Sequence, residues 1–218
     1  MRSWKWVWRA AGLVAGSTAV IGVMHMPMFR SALMRVGGCP VARVTPEQVE
    51  QAQTRALQTL RGAEAAPARP ALGFSFTTTT IDDVRAWARG HRVRCEASRK
   101  DSLLKCDAVP ASVLTQGADG TFDEVAFGFR LADHRLVNVT TLSTGLTARE
   151  ASARFTATAG RLSDTLGAPP LHRLPASDWD PHAPVYVTYR YSNYIAELTG
   201  MELPGRGVVL REHYVSIT

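Results

Sequence analysis

Residues 122–131, FDEVAFGFRL, place Val125, Phe127, Phe129 and Leu131 at every second position, with Glu124, Ala126, Gly128 and Arg130 between them. Side chains of an extended chain alternate between two faces, so this spacing predicts a β-strand with one apolar face and one polar or small one. Ala132-Asp133-His134-Arg135 supplies a turn. The return run, residues 136–142, is rich in β-branched side chains and assigns Val137 and Val139 to one face. Such a hairpin needs a second layer to cover its apolar side.

A suitable cover follows directly. Thr147-Ala148-Arg149-Glu150 is a capping box, in which the threonine hydroxyl and the glutamate carboxylate satisfy each other's free backbone N–H groups. Behind it Ala148, Ala151, Phe155, Ala159, Leu162 and Leu166 step by three and four, the spacing of one helix face. Gly167 and Pro169-Pro170 end the helix. A shorter helix is predicted from Thr80-Ile81-Asp82-Asp83 to Gly90, with Ile81, Val84, Trp87 and Ala88 as its apolar face. Two further hairpins are expected, one around Cys95 and Cys106 and one formed by residues 185–191 and 208–217, joined through Leu203-Pro204-Gly205-Arg206-Gly207. The fold class expected is α+β: an antiparallel β-sheet built from hairpins, with one long amphipathic helix and a shorter helix on one face, preceded by an N-terminal hydrophobic helix. No internal repeat is visible in the sequence.

Upstream, Thr45-Pro46-Glu47-Gln48 starts another helix, with Val49, Ala52, Ala56 and Leu60 on a weakly apolar face. The Ala/Pro run of residues 62–71, GAEAAPARPA, reads as a linker. The organisation expected is an anchor or signal segment at 1–44, a stalk helix and linker at 45–71, and a single globular domain at 72–218.

The charge is unevenly placed. Six of the 25 basic residues (Arg2, Lys5, Arg9, Arg30, Arg35 and Arg43) precede Glu47, where no acidic residue occurs; the remaining 19 balance the 19 acidic ones. The net +6 therefore belongs to the N-terminal segment, and nucleic acid is not an expected partner, because a domain that binds it carries the excess itself. Residues 10–24, AAGLVAGSTAVIGVM, contain no charge, and continuing to residue 29 gives the length of ~20 residues that crosses a bilayer as a helix. Trp4, Trp6 and Trp8 precede it, as indoles at an interface do. Membrane lipid is thus the partner expected for residues 10–29, with His25 near the end of the span. Three fates are open. The segment stays as an anchor, since Arg30-Ser31-Ala32 is a poor cleavage site; it is removed as a signal peptide; or Val36-Gly37-Gly38-Cys39, which resembles a lipoprotein signal, is lipidated at Cys39. Basic residues flank the run equally, so charge alone does not orient it.

Cys95 and Cys106 bracket ten residues in a predicted hairpin, where facing positions meet disulfide geometry. A bond there places the domain in an oxidising compartment, outside the cytoplasm; two buried free thiols are the other reading. Asp178, Asp180 and His182 put two carboxylates and an imidazole within five residues and are a candidate polar site, or simply a polar loop. Arg211-Glu212-His213 reads as a solvated or edge strand, with Glu212 facing away from its two neighbours. Tyr186, Tyr189, Tyr191, Tyr194 and Tyr214 crowd the C-terminal part, either as a recognition surface or as core. No catalytic, metal or cofactor motif stands out. The function expected is a membrane-anchored or exported bacterial-type envelope protein with a non-catalytic binding or scaffolding domain, its partner a protein or another envelope component. The alternatives are an extracytoplasmic enzyme with a dispersed site and an accessory subunit of a membrane complex.

Overall fold

A computed structural model describes residues 45–98, 101–115, 117–175 and 183–217. The hydrophobic segment 10–29 and Cys39 lie outside them. Among the described residues no helix is long and apolar enough to cross a membrane.

The chain from Pro46 onward contains three described α-helices, α1 (Pro46–Leu60), α2 (Ile81–Gly90) and α3 (Ala148–Leu166). Its strands are β1 (Arg94–Ser98), β2 (Leu103–Pro110), β3 (Thr121–Phe129), β4 (Leu136–Leu146), β5 (Leu171–Arg173), β6 (Val185–Arg190), β7 (Tyr194–Leu203) and β8 (Gly207–Ser216). All eight form one antiparallel sheet in the order β1-β2-β3-β4-β8-β7-β6-β5. The α+β class read from the sequence holds. One order of elements, a helix and then a four-strand meander, occurs twice, and the two meanders meet through their last strands.

Both helices that precede a meander begin with a capping box, Thr80 with Asp83 and Thr147 with Glu150. Both lie on the same side of the sheet. The register places Phe127 of β3, Val139 of β4, Tyr214 of β8 and Ala196 of β7 in one row across four strands. Trp87 of α2 packs edge-on to Phe127, and so does Phe74 from the preceding loop, at ring separations of 5.9 and 5.1 Å. Phe155, Leu162 and Leu166 of α3 are buried in the same core. The predicted apolar stripe of α3 thus covers the sheet over β8, β7 and β4, while the predicted apolar face of β3 is covered at Phe127 by Trp87 of α2 and by Phe74, so the two helices share the second layer.

Three expectations need correction. The strands 185–191 and 208–217 are not partners, because β7 runs between them and pairs with both. Its sequence, YIAELTGMEL, hides this: Tyr194, Ile195 and Ala196 are all buried, so its start shows no alternation. A central strand with both faces covered loses the period-two signal. Secondly, Leu131 lies beyond the end of β3, and Leu136 rather than Val137 shares burial with Val139. A shift of register between Gly128 and Phe129 accounts for the second: Phe129 pairs with Leu136, Val137 is the extra residue, and Leu136 thereby joins Val139 on the covered face.

The third concerns residues 62–71, which are tied down rather than free. Ser192 donates its N–H to the Glu64 carbonyl at 2.7 Å, Ala66 donates to Asn193 Oδ1 at 2.9 Å, and the Tyr194 hydroxyl donates to the Pro70 carbonyl at 2.7 Å. A Cβ at position 62 would lie 2.1 Å from the Arg190 carbonyl oxygen, so the close approach there requires glycine. Ala71, Leu72 and Phe76 then enter the core.

Cys95 and Cys106 face each other across β1 and β2, with their sulfurs 1.96 Å apart. β1 is an edge strand, and the rest of its residues are exposed. It therefore gains little from burial, and the covalent link to fully buried Cys106 compensates. Thiol labelling of unreduced protein should find neither cysteine; labelling of both would refute the bond. Reduction should lower stability by ~2–3 kcal/mol, the chain-entropy value for so short a loop, with loss of amide protection in β1 before the central strands.

Candidate binding cleft

Ala153 and Ala157 are small, and between them and the segment 111–122 a cleft of about 580 Å³ opens. Its volume falls in the range of small-molecule sites, ~300–1,000 Å³. Ala111, Ala118 and Phe122 form its apolar side; Arg154, Arg161 and Glu212 bring charge into it.

The inner end is a closed polar cluster. Glu212 stands on β8, on the helix-bearing side of the sheet, and its side chain is 9% exposed. Tyr214 donates its hydroxyl to Glu212 Oε2 at 2.5 Å, Arg161 Nη2 donates to the same oxygen at 3.1 Å, and Thr158 donates to Oε1 at 3.4 Å. Burial opposes the charge of Arg161, but Tyr214 and Glu212 beside it more than offset that, so its pKa ends above the ordinary arginine value. Burial pushes the Tyr214 hydroxyl far above the usual tyrosine range, and the neighbouring carboxylate adds to the effect. A neutral phenol, a guanidinium and a carboxylate thus complement one another, as buried polar groups must.

The outer end is open. Arg154 is half-buried, and its described hydrogen bond is a long one, 3.5 Å from Nη1 to the Thr121 carbonyl. Its guanidinium rests against Gly120, where a Cβ would come within 2.1 Å of Nη2. Gly120 also has φ +88°, in the region that favours glycine. The turn therefore admits this guanidinium only with glycine at 120. Glu150, also at this end, is held by the Thr147 backbone and hydroxyl, which lower its carboxyl pKa. Asp119 is the other carboxylate on the lining.

No family model, curated protein or solved structure matches this chain. Among the described residues no three His, Cys, Asp or Glu side chains gather as a metal site.

The structure brings Cys95 and Cys106 together, whereas Asp178, Asp180 and His182 lie outside the described residues. Glu212 does face away from Arg211 and His213, as the alternation predicts, but β8 is a central strand and Glu212 is buried. The solvated-edge reading fails because sequence does not reveal which strands flank a third. Tyr189, Tyr194 and Tyr214 are fully buried. The Tyr189 and Tyr191 hydroxyls hold the Gly167 and Leu166 carbonyls at the end of α3, at 2.9 and 2.8 Å. The core reading of these tyrosines is the one the structure supports. Arg154 and Arg161 were not singled out in the sequence, although their spacing of seven on a predicted helix already placed them on one side of it.

Glu212→Ala should lower stability by ~3–5 kcal/mol in urea melts, the loss expected when one partner of a buried ion pair is removed. Glu212→Gln, which keeps an acceptor for Tyr214, should lose less. A loss below ~1 kcal/mol for the alanine variant, the value for exposed pairs, would show that the cluster is solvated.

Acid sensitivity follows from three carboxylates held below their ordinary range. The Thr80 backbone lowers Asp83, the Thr147 backbone lowers Glu150, and the His213 imidazole, its Nδ1 3.9 Å from the carboxylate, lowers Glu197. A depressed folded-state pKa gives stability that is complete above the unfolded value, ~4, and lost as pH falls through the folded value. The melting temperature should therefore fall below pH ~4, and the doubly substituted Asp83→Asn, Glu150→Gln protein should start lower at neutral pH and show a shallower acid limb.

Proposed function

We propose that this chain is a membrane-attached or exported envelope protein whose α+β unit lies outside the cytoplasm and binds a ligand without transforming it. The observation that carries the binding half is the cleft beside α3. It is concave and mostly apolar, with a few charged groups at its ends. Its buried acid–base groups are already committed: both oxygens of Glu212 accept hydrogen bonds and the Tyr214 proton is held. A general base needs a lone pair within reach of a substrate proton, and this arrangement favours binding over proton transfer.

The location half is supported by the cysteine sulfurs at bonding distance, since such pairs persist in oxidising compartments. The charge distribution adds to it. The sequence from Glu47 onward is neutral, and the whole net positive charge flanks the apolar run at 10–24. An uncleaved anchor at residues 10–29 is the form this reading takes, with the ligand a component of the envelope.

Alkaline carbonate extraction of cells expressing the full chain, with intact mass, tests the attachment. Full-length protein in the membrane pellet is expected. A shortened soluble form would replace the anchor with an exported protein, and an added lipid mass would place the attachment at Cys39. Protease added to spheroplasts should digest the globular unit; its protection until lysis would overturn the extracytoplasmic placement.

A further inference from the structure

The proposed binding function leaves the ligand's chemistry unstated, and the two ends of the cleft constrain it. At the inner end Arg161 is engaged by Glu212, whose oxygens also receive Tyr214 and Thr158. That end offers an arriving charge little. At the outer end Arg154 has one long hydrogen bond to Thr121, and Gly120 makes room for its guanidinium against the turn. Between the ends run the methyl groups of Ala153 and Ala157 on one side and Ala111, Ala118 and Phe122 on the other. Small side chains along a helix make a narrow apolar channel and not a broad bowl.

We infer that the cleft takes a single-chain aliphatic carboxylate, its chain along Ala153, Ala157 and Phe122 and its head on Arg154. This rests on the reading of the cleft as a binding site. A guanidinium pairs with a carboxylate through two parallel N–H donors, and it is stronger in a partly desolvated setting than in open water. The charge count limits the head to a single negative charge. At the outer end Arg154 is the one guanidinium on the lining, it also attracts Glu150, and Asp119 lies beside them, so each further negative charge on a head adds repulsion and a dianionic phosphate is disfavoured against a monoanion. A cationic head would meet Arg154 itself.

The test uses the full chain in a mild nonionic detergent and three soluble probes: decanoate, decyltrimethylammonium and acetate. Binding is read by calorimetry and by the shift in melting temperature. Decanoate should bind and stabilise. Acetate, the head without the chain, should not. Decyltrimethylammonium, the same chain with the opposite charge, should bind at least about tenfold more weakly, the equivalent of one charge-assisted hydrogen bond. Arg154→Gln should weaken decanoate by a similar factor and leave acetate and the cationic probe unchanged. Ala157→Leu, which fills the channel, should abolish decanoate binding. As a control for the integrity of α3, the circular dichroism and unliganded melting temperature of each variant must match the parent; Ala153→Leu gives a second channel-filling variant.

Decanoate binding that survives both Ala157→Leu and Arg154→Gln would overturn the inference, since the chain would then be held elsewhere. Equal or tighter binding of the cationic probe, blocked by Ala157→Leu, would overturn the carboxylate assignment and leave the cleft as a binding site. Failure of all three probes overturns the aliphatic ligand, whereas the placement of the domain outside the cytoplasm stands or falls on the protease experiment alone.

Discussion

The antiparallel pairing of β4 with β8 is the contact on which the remainder of the architecture rests. Each meander alone is a four-strand sheet with a helix ahead of it, and each would end in an exposed strand edge. Joining Asn138–Ser143 to Leu210–Val215 removes both edges and makes one continuous sheet of eight strands. It also turns the second helix-bearing unit so that α2 and α3 share a side. The exposed edges that are left are short or stapled: β5 has three residues, and β1 is linked through Cys95 to Cys106.

That same pairing explains the buried carboxylate. On an edge strand Glu212 would face solvent on at least one flank. Set between Thr141 on β4 and Leu198 on β7, and beneath α3, it is left only 9% exposed at the inner end of the cleft, and its charge must be neutralised locally. Arg161, Thr158 and Tyr214 do this, and they pin the middle of α3 to the middle of the sheet. The C-terminal end of the helix is fixed separately by Tyr189 and Tyr191. Its N-terminal half is lined by Ala153 and Ala157, which are too small to fill the space above Phe122, and there the cleft opens.

Legibility in the sequence follows how local each determinant is. The capping box at Thr147, the helix start at Thr80 with its acidic first turn, the stripe Ala151, Phe155, Leu162 and Leu166, and the alternation Val125, Phe127, Phe129 depend on residues within a turn or two of one another, and all were readable. The facing of Cys95 and Cys106 was readable for the same reason, being set by one short hairpin. β7 was not, because burial on both faces removes the periodicity that marks a strand. The shift at Gly128 and Phe129 was not, because a bulge leaves the composition of its strand unchanged. The docked stretch 62–71 was not, because its partners Arg190, Ser192 and Asn193 lie more than a hundred residues away.

By itself the sequence determined the α+β class, the capped helices, the strand pair at the centre of the first meander and the separation of a basic, apolar N-terminal segment from a neutral remainder. Short-range sterics, backbone hydrogen bonding and charge position suffice for these. Tertiary structure alone decided which strands are neighbours, and hence that Glu212 is buried, that Arg161 answers it, that Arg154 does not, and that a cleft lies between them. Those outcomes depend on where β4 meets β8, a contact between segments about seventy residues apart. It is settled by the packing of the whole core and not by any local pattern.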